Sequence, residues 1–68
     1  MKMKMKKNNV KNYRVWKGLT RADLAKEVRV SLSYLVLIEN EHIVPKRHII
    51  RRLCECFGID EDQFWRVL

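Results

Sequence analysis

Residues 21–40 read RADLAKEVRVSLSYLVLIEN. Counted from Arg21 as position 1, apolar side chains fall at positions 4, 5, 8, 10, 15 and 18, which are Leu24, Ala25, Val28, Val30, Leu35 and Ile38. Leu24, Ala25 and Val28 form a narrow stripe at helical spacing, and Leu35 and Ile38 are the inward pair of a second helix. Only Val28-Arg29-Val30-Ser31 joins the two, which leaves room for a tight turn. Two helices crossing at about 90–120° around such a turn approach closely at position 5. A small residue is needed there, and Ala25 supplies it.

The elements on either side follow from their end signals. Thr20 with Asp23 is a shortened capping box for the helix that begins at Arg21, and Ser31 caps the helix from Leu32 to about Asn40. Upstream, Asn8 or Asn9 caps a first helix on which Val10, Tyr13, Arg14 and Lys17 share a face, and Gly18 ends it. Downstream, residues 41–45 form a loop, because Pro45 disfavours helix at Val44. A fourth helix, residues 46–57, buries Ile50, Leu53, Cys54 and Phe57 at i, i+3, i+4 and i+7. Gly58 stops it, and Asp60 with Gln63 caps a fifth helix carrying Phe64, Val67 and Leu68. The expectation is an all-α fold of five short helices. Residues 1–8 (MKMKMKKN) are expected to be a flexible basic arm, and residues 9–68 the folded domain.

Sixty-eight residues suit one small domain. The net charge of +7 is uneven. Residues 1–29 hold ten basic and two acidic groups, and residues 30–68 hold five and six. That asymmetry favours a polyanion, either nucleic acid or an acidic membrane surface, or else it is a solvated tail. No apolar run is long enough to span a membrane, so no membrane role is expected. Cys54 and Cys56 point about 200° apart on a helix and are expected as free thiols, which suits a reducing cytosol. Cys56 and His48 lie about 12 Å apart by helix rise, too far to share a metal. No nucleophile–base set, paired carboxylates or glycine-rich phosphate loop is present, so neither enzyme activity, metal nor cofactor is expected.

The stretches 18–25 (GLTRADLA), 30–35 (VSLSYL), 38–40 (IEN), Pro45 and 57–59 (FGI) resemble the Cro/repressor-like (XRE-type) helix-turn-helix family. The resemblance covers about residues 9–65. It implies a compact five-helix, lambda-repressor-like domain that binds double-stranded DNA, usually as a homodimer on a two-fold site. It also implies a structural ion pair between Arg14 and Glu39. Two positions depart from the family pattern. Arg29 and Glu41 stand where the family has glycine, and a left-handed backbone there is costly for a residue with a Cβ.

With the third helix in a major groove, Ser31, Leu32, Ser33, Val36, Leu37 and Asn40 face outward. Two hydroxyls, an amide and three aliphatics discriminate weakly, with the aliphatics suited to thymine methyl groups. The same apolar face suits a protein partner, or further core packing. Arg21 reads as a phosphate clamp or as solvated surface; the resemblance implies a phosphate contact for Asn40, with a local cap as the alternative. Tyr34 is expected to brace the third helix with its hydroxyl near a phosphate. The resemblance implies that Lys46, Arg47 and His48 grip a phosphate at the start of the fourth helix, and Lys4, Lys6 and Lys7 are expected along the DNA backbone. Arg51 and Arg52 are expected to be solvated, and Trp16 to pack. Trp65, Val67 and Leu68 are candidates for a dimer seam. The leading expectation is a repressor that acts by occupying its operator in the cytoplasm, associated with the nucleoid. The alternatives are a protein-interaction module and a weakly specific architectural DNA binder.

Overall fold

The computed structural model describes residues 7–65. Among them five helices follow one another: α1 (Val10–Trp16), α2 (Arg21–Val28), α3 (Leu32–Glu39), α4 (Arg47–Phe57) and α5 (Glu61–Trp65). No strand occurs among the described residues. The order, the five starts and the ends of the first four helices match the end signals to within a residue. The expectations for residues 1–6 and 66–68, including those for Val67 and Leu68, lie outside the described residues.

Three helix starts close as their side chains dictate. Thr20 Oγ1 accepts the Asp23 N–H at 3.0 Å, and Asp23 Oδ2 accepts the Thr20 N–H at 3.1 Å. Those bonds hold the Asp23 carboxyl below its usual range. Ser31 Oγ accepts the Tyr34 N–H at 3.1 Å. Asp60 and Gln63 exchange bonds of 2.8 and 3.1 Å. α1 begins differently. Asn9 immediately precedes it but makes no side-chain cap. Asn9 is buried and faces α5 instead. Its backbone N–H donates to the Phe64 carbonyl at 3.0 Å and its Nδ2 to the Gln63 carbonyl at 2.9 Å. Asn8 takes over the local bond, its Oδ1 accepting the Val10 N–H at 3.0 Å.

The first four helices end in one way. At each, a backbone N–H reaches back five residues: Leu19 to Arg14, Val30 to Ala25, His42 to Leu37 and Ile59 to Cys54, at 2.9–3.1 Å. This closure needs one residue in the left-handed region. Gly18 (φ 74°) and Gly58 (φ 69°) provide it for α1 and α4. Arg29 and Glu41, both at φ 62°, provide it for α2 and α3. The departures at these two positions therefore keep the turn and accept the strain.

α3 packs on α1 and α2, α2 packs on α4, and α4 packs on α1 and α5. Leu24, Val28, Leu35, Ile38, Leu53 and Phe64 are fully buried between them. Each side chain of this size stabilises the fold by about 1.5–3 kcal/mol. Cys54 is buried, and Tyr13 stacks on Phe57 with ring centroids 5.6 Å apart. Ile49, absent from the expected stripe, is buried as well. It stands four residues before Leu53 and eight before Phe57, so it widens the same face.

Two expectations fail. Trp16 does not pack; it is 78% exposed. At 100° per residue it lies about 110° round α1 from the face centred on Val10 and Lys17. Arg52 is not simply solvated. It is half-buried, and its Nη1 donates to the Val28 carbonyl at 3.1 Å, because α4 crosses the end of α2.

Candidate functional site

α3 turns Leu35 and Ile38 inward and leaves its other side to solvent. Ser31, Leu32, Ser33, Leu37 and Asn40 are exposed, and Val36 is half-buried. Leu32 and Leu37 keep 49% and 39% of their surface exposed, so they are not additional core. Leu32 and Val36 line an open groove together with Leu19, Ala22, Thr20, Arg21 and Arg14. The outward face of α3 thus adjoins the start of α2.

Beneath the groove lies a charge cluster. The Glu39 side chain is 1% exposed. Arg14 Nε donates to Glu39 Oε2 at 2.6 Å, its Nη2 to Oε1 at 3.4 Å, and its Nη1 to the Leu19 carbonyl at 2.8 Å. Arg21 Nε also donates to Glu39 Oε1, at 3.1 Å. One buried carboxylate therefore ties α1, α2 and α3 together through two guanidinium groups. Charge-assisted bonds of this kind are shorter and stronger than neutral ones. The two arginines are unequal. The Arg14 side chain is 11% exposed, whereas that of Arg21 is 44% exposed and engages Glu39 through Nε alone. Among the described residues no hydrogen bond engages the two terminal nitrogens of Arg21, which lines the groove. Sequence reasoning anticipated the Arg14–Glu39 contact from the resemblance but missed Arg21 in it. No local pattern links residues 18 positions apart.

Two further groups of residues lie along α3. Tyr34 Oη accepts the Lys46 N–H at 3.4 Å, which sets the start of α4 beside α3. Lys46, Arg47 and His48 are exposed, as is Asn40, the residue after α3. The Asn8 N–H donates to Glu41 Oε2 at 3.1 Å, and Asn8 Nδ2 donates to the Ile38 carbonyl at 3.0 Å. Lys7 is exposed just before this junction. Lys4 and Lys6 lie outside the described residues.

The rest of the described surface offers little chemistry. Burial, and the carboxylates near each thiol, push the Cys54 and Cys56 thiols up, so both stay protonated at neutral pH. No group of three or more His, Cys, Asp or Glu able to hold a metal ion occurs among the described residues. No helix among them is long and apolar enough to cross a membrane.

The arrangement has two short helices meeting at a tight turn, the second with one side bare, and exposed cations at the starts of the neighbouring α2 and α4. The family described as helix-turn-helix domain matches residues 8–66. No curated protein matches the chain.

Proposed function

The chain belongs to the helix-turn-helix domain family, and we propose that it is a small transcriptional regulator of the Cro/repressor-like type. It binds double-stranded DNA as a homodimer, places α3 in the major groove, and represses by occupying its operator at the nucleoid. The observation that carries this reading is the bare outer side of α3, with exposed cationic residues at the starts of α2 and α4 beside it. Ser31, Leu32, Ser33, Val36 and Leu37 read base edges and thymine methyl groups. Arg21 grips a phosphate with its outer nitrogens, and Asn40, Tyr34, Lys46, Arg47 and His48 hold further phosphates along the backbone. Lys4, Lys6 and Lys7 add affinity without specificity. Trp65 with Val67 and Leu68 supplies the dimer seam.

The test is selection from a random duplex pool, with binding followed against salt. A two-fold symmetric consensus is expected, together with a steep fall of affinity with salt. Salt-sensitive binding without a consensus would replace regulation by an architectural role. The half-exposed Leu32 and Leu37 favour a second reading, in which α3 docks a protein partner. Absence of duplex binding at moderate salt would move the assignment there.

A further inference from the structure

Two adjacent asparagines root the N-terminal segment, and they tie it to two different elements. Asn9 is tied to the carbonyls of α5. Asn8 is tied to the end of α3. Its backbone N–H goes to Glu41 Oε2, its Nδ2 to the Ile38 carbonyl, and its Oδ1 takes the Val10 N–H. Glu41 itself stands at φ 62°, a conformation that glycine adopts without strain. What the glutamate supplies there is a carboxylate that bonds a backbone 33 residues away. The residue before that bond is the exposed Lys7, and Lys2, Lys4 and Lys6 precede it in sequence. The residue before Glu41 is the exposed Asn40, and the following loop leads to Lys46, Arg47 and His48.

We propose that Glu41 is a positioning residue for DNA binding. With Asn8 it forms a clasp that fixes where the basic N-terminal segment leaves the domain, beside the end of α3. The lysines of that segment and the α3–α4 loop then meet phosphates of the same duplex. The inference rests on the DNA-binding reading above.

The sign of the effect separates the clasp from plain electrostatics. Removing a carboxylate near a polyanion would by itself tighten binding. Opening the clasp weakens it. The test uses the full chain, its Glu41→Gln, Glu41→Asn and Glu41→Gly variants, and a chain lacking residues 1–7. Each is titrated on the duplex selected by the wild type at several salt concentrations, with helicity checked by circular dichroism. Glutamine keeps an acceptor at the same reach. Asparagine is equally neutral and tolerates the left-handed region, but it is one methylene too short.

Glu41→Gln is expected to bind at least as tightly as wild type. Glu41→Asn and Glu41→Gly are expected to bind more weakly at low salt. For every phosphate that the lysines no longer neutralise, the salt slope should fall by about 0.9, or about threefold in affinity change between roughly 50 and 200 mM. Combining Glu41→Gly with the truncation should add nothing to the truncation alone. Binding by Glu41→Asn and Glu41→Gly as tight as by Glu41→Gln would overturn the clasp and leave DNA binding standing. So would a truncation without effect on affinity or slope. A wild type that binds no duplex would remove the DNA-binding reading, and the clasp with it.

Discussion

Glu39 is the residue on which three helices depend. Its carboxylate is buried and accepts from both Arg14 and Arg21. Replacing it by alanine strands the nearly buried Arg14 guanidinium, which in comparable sites costs about 3–5 kcal/mol. Glu39→Ala is therefore expected to unfold at markedly lower urea than the wild type, with a single cooperative transition as the readout. Arg21→Lys separates structure from binding. A lysine ammonium aimed at Glu39 would leave nothing for a phosphate, whereas arginine has two nitrogens to spare. Stability should change little, because the Arg21 side chain is 44% exposed and Glu39 keeps Arg14. Duplex affinity should fall with a salt slope shallower by about 0.9, even though the formal charge is unchanged. A slope equal to that of wild type would make Arg21 a generic surface charge. The sequence makes the outward residues of α3 legible, because a helical face follows from spacing. It leaves the Arg21–Glu39 and Asn8–Glu41 contacts illegible, because both join residues brought together only by the packing of separate elements.

Among the helices, starts are more legible than ends. Thr20, Ser31 and Asp60 bond to backbone within three residues, so type and spacing suffice. Gly18 and Gly58 mark two ends just as clearly. The ends of α2 and α3 carry no such mark, since Arg29 and Glu41 occupy the left-handed position. They form because the apolar residues on both sides leave the chain no other path. Leu24, Ala25 and Val28 must face Leu35 and Ile38, and only a left-handed residue turns the backbone that sharply in the space available. Glu41 offsets its strain by holding Asn8, whereas the exposed Arg29 side chain has no such bond among the described residues. Arg29→Gly is accordingly expected to stabilise the fold by about 1 kcal/mol, the left-handed penalty less the added chain entropy of glycine. Chemical denaturation reads it directly. An unchanged or lowered midpoint would mean that the Arg29 side chain contributes an interaction as large as its backbone strain.

For the molecule as a whole, stability and binding are coupled. A core supplied by fewer than about 70–80 residues rarely gives more than about 3–5 kcal/mol of net stability. Leu35 is fully buried at the centre of that core, facing α1 and α2 from the inward side of α3. Leu35→Ala removes about 2–5 kcal/mol, which brings the folded and unfolded populations close to balance. A ligand that binds only the folded chain restores about 2.7 kcal/mol when present at 100 times its dissociation constant. The Leu35→Ala chain should therefore lose about half of its helical circular dichroism alone and regain it on a selected duplex. An unselected duplex at equal phosphate concentration, bound more weakly, should restore less. The recovery depends on α3 being both the wall of the core and the face that meets DNA. If α3 instead docked a protein, neither duplex would refold the variant, and the same titration with the wild type would show no rise in melting temperature.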